Sequence, residues 1–255
     1  MTPTTIRPVG PQPAVRNFIS EWAVTVILLL FGTTTLLQAF VIPSGSMENT
    51  LLVGDHVLVD KLIYAPSDAV TQHLLPYRDV QRGDIIVFRY PLNPQVTYVK
   101  RAIGIPGDRI RFENKRLILN GMPVNEPYAH HGSVANLPYR DNFPASPETE
   151  DLRPSAADMI DKHLVNGELV VPPGFIFAMG DNREDSDDSR YWGFVPRANI
   201  VGTPFVNYWS FDAPTADLTD TGLGITHLVD VGTHFFTKTR WARTFTLIHS
   251  YPLQR

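Results

Sequence analysis

Nineteen uncharged residues, Trp22–Phe40 (WAVTVILLLFGTTTLLQAF), constrain this chain more than any other segment. A helix that crosses a membrane needs about 20 apolar residues, with about 17 as the lower limit. A cleavable targeting peptide has an apolar stretch of about 7–15 residues and ends at a small-x-small site. Here the run is longer, and its exit, Val41-Ile42-Pro43-Ser44-Gly45-Ser46, offers no A-x-A-like tripeptide. The length rules therefore predict a retained transmembrane helix over 22–40, rather than a buried core helix or a signal peptide. Arg7 and Arg16 precede the run, with Glu21 at its edge; Glu48, Asp55 and Asp60 follow before the first lysine, Lys61. Basic flanks stay cytoplasmic, which places residues 1–21 inside as a leader and residues 43–255 outside. The leader's first fifteen residues hold four prolines and read as disordered.

The outer 213 residues are enough for a sizeable core. Twenty-two prolines and 17 glycines favour turn-rich β structure over a helical bundle. Short β-like runs recur at His56–Ile63, Asp84–Tyr90, Thr97–Ile105, Arg109–Phe112, Arg116–Leu119, Glu168–Val171, Phe175–Met179 and Phe205–Phe211, separated by Gly/Pro/Asn turns. Residues 121–167 differ: they carry His130-His131, several prolines and one short helical stretch near Ser155–His163. They read as an inserted lobe between a first core part, 41–120, and a second, 168–255. Residues 212–234 read as a surface loop. The aromatic and basic residues of 235–251 permit contact with a lipid interface.

Composition excludes some chemistries. There is no cysteine, hence no disulfide, thiolate metal site or cysteine nucleophile. The net charge of −4 gives no electrostatic support to nucleic-acid binding. No G-x-S-x-G elbow, H-E-x-x-H or P-loop is present. The acid-rich run Gly180–Gly193 fails the calcium-loop pattern: counted from Asp181, positions six and twelve hold Ser186 and Trp192 rather than glycine and glutamate. It reads as a hydrogen-bonded loop buttressing a site, with Arg183 and Arg190 available to pair with its carboxylates.

Two segments carry nucleophilic chemistry. Pro43-Ser44-Gly45-Ser46-Met47 offers a serine nucleophile and a second hydroxyl for an oxyanion, although a Ser/Gly run after an anchor is more often a linker. Lys100, one of five lysines, lies in an apolar strand on the face of Tyr98 and Ala102. An edge-strand lysine that keeps a sheet soluble is the ordinary explanation. The alternative is a general base made neutral by desolvation, which lowers a lysine pKa by about 3–5 units. A Ser-His-Asp triad stays open, with no histidine singled out for it.

The order of these segments resembles bacterial type I signal peptidases, the Ser-Lys leader peptidases. Four boxes carry the resemblance: Ile42–Met47 continuing to Leu51–Asp55, Arg82–Phe88, Tyr98–Asp108, and Gly180–Arg183 through Asp188–Pro196. It implies a mostly-β catalytic core with an inserted second β lobe behind one N-terminal transmembrane helix. It implies Ser46 as nucleophile, Lys100 as general base, and Ser44 with the Ser46 N–H as oxyanion donors. Ser186 would orient the lysine, Asp188 and Arg190 would form a supporting ion pair, and Ile42 and Val99 would line pockets for small side chains. Cleavage of exported preproteins after small residues at −1 and −3 would need no metal or cofactor. The partners implied are preprotein signal peptides, membrane lipid and the export machinery, at a bacterial cell membrane with the catalytic domain on its outer side. Two positions depart from the pattern. Asn49 stands where proline is usual, which would loosen the chain after the serine, and Asp185 stands where asparagine is common. An anchored Ser-Lys peptidase with another client, or a scaffold with a dead site, remains an alternative.

Overall fold

The computed structural model describes residues 13–64, 77–145, 152–219 and 225–253. Among them the chain forms β1 (Leu37–Val41), β2 (Asp55–Asp60), β3 (Ile85–Tyr90), β4 (Asn93–Gly104), β5 (Arg109–Glu113), β6 (Arg116–Leu119), β7 (Met122–Pro123), β8 (Leu164–Val165), β9 (Glu168–Val170), β10 (Phe175–Met179), β11 (Val195–Pro196), β12 (Ile200–Ser210) and β13 (Thr246–Leu247). The helices are α1 (Pro13–Phe31), α2 (Pro138–Asp141), α3 (Pro154–His163), α4 (Ser189–Trp192), α5 (Thr215–Thr219) and α6 (Ile225–Lys238). The protein is mostly β, as the strand-like runs predicted.

Two antiparallel sheets organise it. The larger runs β1-β2-β12-β3-β4-β10-β11, with β13 added beside β12; the smaller runs β7-β6-β5-β9-β8. Alternation along β3 divides the larger sheet's faces. Ile85 and Val87 pack with Ile42, Met47, Val57 and Val59 on one side. Ile86 and Phe88 pack with Ala102, Ile176 and Trp192 on the other. The smaller sheet lies between β4 and β10 in sequence and shares a third core with β10 through Ile110, Leu117, Leu169 and Phe177. Its strands come from both within and outside residues 121–167. The two sheets meet closely at Gly104, where a Cβ would stand 2.4 Å from Ile110 Cδ1.

The N-terminal segment departs from the expected single helix over 22–40. The helix starts at Pro13, ends at Phe31 and passes through a π-helical turn, Gly32–Leu36, into β1. Residues 37–41 are therefore sheet. The physical cause is a run of three β-branched threonines, Thr33–Thr35, which hold a helix poorly, followed by a five-residue ladder from Leu37↔Asp60 to Val41↔His56. Among the described residues no helix is long and apolar enough to cross a membrane. Along α1, Phe18, Trp22, Ile27, Leu28 and Leu29 are more than half exposed. Residues 1–12 of the expected leader lie outside the described residues. Of residues 212–234, read as loop, much is helical in α5 and α6.

Candidate active site

β1 delivers the first group of site residues. Past its end, Ile42 stays in ladder register: its N–H donates to Asp55 O at 2.9 Å, and Gly54 N–H donates to Ile42 O at 2.9 Å. Ile42 and Met47 are buried in the same apolar cluster and pin the segment between them. Ser44 is extended and exposed; Ser46, half-buried, sits on a single 3-10 turn, Gly45–Met47. Glu48 N–H to Gly45 O (2.9 Å) and Leu51 N–H to Met47 O (2.8 Å) close the turn. Asn49 adopts φ 78° between these bonds, a left-handed conformation that asparagine tolerates and proline's fixed φ forbids. The chain after Ser46 is thus closed rather than loosened.

β4 delivers Lys100, which pairs with Ile86 across β3 and is buried. Its Nζ donates to Ser46 Oγ at 2.6 Å and lies 5.8 Å from the centre of the Tyr98 ring, on the face expected from alternation. Burial pushes its pKa down to about 8, against the opposing charges of Asp188, Asp187 and Asp181. At pH 7 about one such amine in ten is neutral, against roughly one in 2,500 for an unperturbed lysine.

The loop after β10 closes the site from behind. Asn182 N–H donates to Ser46 O at 3.1 Å, and Asn182 Nδ2 donates to Gly45 O at 3.3 Å. Gly180 makes this approach possible: a Cβ there would lie 2.3 Å from both Ser46 O and Ser186 Oγ. Asp188 and Arg190 form a fully buried bidentate pair, Nε–Oδ1 2.9 Å and Nη2–Oδ2 2.8 Å. Burial opposes ionisation of Asp188, but Arg190 outweighs it and holds the carboxyl below its usual range. Asp188 also accepts from the Arg190 N–H and so caps α4. Ser186 is buried beside this pair, and its hydroxyl contributes to holding Asp188 low. Its Oγ nevertheless falls outside hydrogen-bond geometry with any partner, Lys100 included.

Several supports were not legible in the sequence. Arg101 turns to the face opposite Lys100 and makes a buried bidentate pair with Asp181, Nε–Oδ1 2.7 Å and Nη2–Oδ2 2.6 Å. Thr50 donates to the same carboxylate at 2.5 Å, and Arg101 Nη1 donates to Gly83 O at 2.7 Å. One ion pair thereby ties β4, the serine turn and the β10 loop together. Arg183, expected to pair within its loop, reaches out of it to Glu126 instead (2.8 and 2.5 Å). The available signal was alternation: if Lys100 faces one core, Arg101 faces the other, and a buried arginine needs a carboxylate.

These elements surround a cleft of about 400 Å³. Its walls are Phe40–Met47 on one side and Val96–Lys100 on the other, with Asp185 and Asp187 at one end. Ile42, Ser44, Ser46, Val99 and Lys100 therefore share one cavity; Ser186, Asp188 and Arg190 stand behind it. A serine hydroxyl against a desolvated amine of depressed pKa, open to a groove between two strand segments, suits acyl transfer from an extended peptide to the serine.

A family model described as signal peptidase, peptidase S26, matches residues 15–209, which include every site element above. Signal peptidase I of Pseudomonas fluorescens is 34% identical over 224 residues, covering 82% of this chain and 78% of that protein. Signal peptidase I of Aquifex aeolicus is 34% identical over 234 residues, covering 79% and 87%. The crystal structure of a signal peptidase I from Enterococcus faecalis aligns over 49% of this chain and 97% of its own, at 32% identity and a TM-score of 0.38.

Proposed function

Because the chain belongs to the peptidase S26 family of signal peptidases, we propose that it cleaves signal peptides from exported preproteins with Ser46 as nucleophile and Lys100 as its general base. The observation that carries this is the 2.6 Å contact between Lys100 Nζ and Ser46 Oγ, made by a buried lysine whose pKa falls to about 8.

The preprotein lies extended in the cleft as an added strand between the Phe40–Ile42 and Val96–Val99 edges. Small side chains at −1 and −3 fill shallow apolar pockets formed with Ile42 and Val99. Neutral Lys100 takes the Ser46 proton, and Ser46 Oγ attacks the scissile carbonyl. The oxyanion is held by the Ser46 N–H and the Ser44 hydroxyl, where one donor is typically worth about 3–4 kcal/mol in the transition state. The lysine ammonium then protonates the departing amine, and water, deprotonated by the same lysine, hydrolyses the acyl-enzyme. Asp188 and Arg190 hold the loop behind the lysine. Ser186, buried beside Asp188, orients the amine once substrate excludes water.

The exposed apolar residues of α1 are the part of the chain that meets lipid, with Arg7 and Arg16 on the cytoplasmic side and both sheets on the outer face of a bacterial cell membrane. There the cleft would receive preproteins as the export machinery delivers them.

The test is cleavage of a preprotein bearing an A-x-A site by the detergent-solubilised full chain, beside Ser46→Ala and Lys100→Met. Cleavage at that boundary by the wild type alone is expected. Equal cleavage by all three, or near-normal cleavage by Lys100→Arg, would sink the dyad, since arginine cannot be deprotonated in this range. Carbonate extraction of membranes tests the anchor: release of the full chain into the supernatant would refute it.

A further inference from the structure

The cleft does not end at the serine. Asp185 and Asp187 wall one end of it and also border an adjoining hollow of about 360 Å³, lined further by Ser186, Tyr191, Arg153 and Glu184. The charges at this end are unequally answered. Asp187 is held by Arg153 through two bonds of 2.8 and 3.0 Å. Glu184 is held by Lys115 at 2.7 Å and by the Ser133 N–H at 3.0 Å. Asp185 is exposed, and among the described residues its carboxylate has no hydrogen-bond or ion-pair partner. Its backbone is fixed all the same, because its N–H donates at 3.2 Å to the carbonyl of Asn182, the residue whose own N–H holds Ser46 O. The next residue, Ser186, is buried, and its Oγ meets no partner in hydrogen-bond geometry. The result is a rigidly mounted, uncompensated negative charge on the wall of the groove that holds the serine.

Resting on the reading of this groove as the peptide site, we infer that the Asp185 end of the cleft is a subsite for a cationic substrate side chain next to the scissile bond, and that Asp185 is its specificity determinant. Positions −1 and −3 are taken by the small-residue pockets, so the side chain concerned is at −2, +1 or +2. A lysine or arginine there gains an opposite charge without giving up another partner. A glutamate there meets like charge in a partly desolvated groove, where repulsion is screened less than in bulk water. The paired Asp187 and Glu184 add little to the preference, because their cations already answer them.

The experiment uses the full detergent-solubilised chain and one preprotein in three series, with Lys, Gln or Glu at −2, +1 or +2. At one of these positions the wild type should cut the Lys substrate about three- to tenfold faster in kcat/KM than the Glu substrate, with Gln between. Asp185→Asn should bring that ratio close to one, Asp185→Lys should invert it, and 0.5 M salt should shrink it in the wild type. Equal rates for Lys and Glu at all three positions would overturn the inference, as would a ratio unchanged in both Asp185 variants. The Gln series separates this from the reading beneath it: if the wild type fails to cut Gln substrates, or Ser46→Ala cuts them equally, the serine reading fails and the subsite falls with it. If the Gln substrates are cut as expected and only the charge preference is missing, the subsite alone fails.

Discussion

Strand β4 contains two environments. Residues 93–97 are exposed and 98–99 half-buried, whereas 100–104 are buried. The outer half pairs with β3 alone, leaving its other edge to the cleft; the inner half also pairs with β10 at Arg101, Ala102 and Gly104. The change falls at Val99–Lys100, so one continuous backbone presents an open strand edge and, one residue later, a lysine dry enough to lose its proton. Exposure leaves a strand edge open to the cleft, burial lowers the lysine pKa, and a strand that was wholly one or the other would offer only one of the two.

Substitutions can break this contrast from either side. The largest effect is expected at the boundary, where Lys100→Arg or Ser46→Ala should lower kcat by about 10³-fold or more in a preprotein cleavage assay. On the buried side, Asp181→Ala strands Arg101 without its carboxylate and should cost about 3–5 kcal/mol in denaturant unfolding. Lys100→Met should move the other way. The unfolded chain holds the lysine proton up to about pH 10.4, the folded chain only up to about 8. The cost of burying the charge is therefore complete below pH 8 and fades as pH rises from 8 toward 10.4. Removing the charge should stabilise the inactive variant by about 3 kcal/mol at pH 7, with the gain shrinking above pH 8. The same titration sharpens the contrast kinetically: between pH 6 and 8 the wild-type kcat/KM should climb by about tenfold per unit and level off near the lysine pKa, and a flat profile over that range would exclude Lys100 as base. At the half-buried step between the two sides, Val99→Phe should obstruct the cleft and slow A-x-A cleavage by about tenfold, at a cost of about 1–3 kcal/mol because Val99 packs against the Ile42 cluster. Asp187→Asn, which removes an exposed pair with Arg153, should cost less than about 1 kcal/mol.

Much of the strand framework was legible because half-buried strands alternate and turns carry Gly, Pro and Asn. Eight predicted runs, His56–Ile63 through Phe205–Phe211, find counterparts in β2, β3, β4, β5, β6, β9, β10 and β12. The helix near Ser155–His163 is α3, with proline in its first turn. β1 was hidden inside an apolar run, since hydropathy alone does not separate a helix end from a strand whose partner lies some twenty residues on. The two-residue strands β7, β8, β11 and β13 carry too short a pattern to read. α6 was missed because its mixed composition resembles a loop. In the site, the residues flagged one by one, Ile42, Ser44, Ser46, Val99 and Lys100, do line one cavity. The binding together of those segments by Arg101, Asp181 and Thr50 was not readable, because an ion pair 80 residues apart leaves no local trace.

The sequence by itself determined the β character of the chain, the face on which Lys100 stands, and the serine that follows an apolar run. These are consequences of period, turn chemistry and residue type, all local. Only the tertiary structure decided that Lys100 Nζ reaches Ser46 Oγ, that the lysine is dry, and that Asp185 stands unanswered at the end of the same cleft. Each of those depends on sheet order and on which charges are buried beside which. That depends on how segments distant in sequence pack, and no single stretch of residues encodes it.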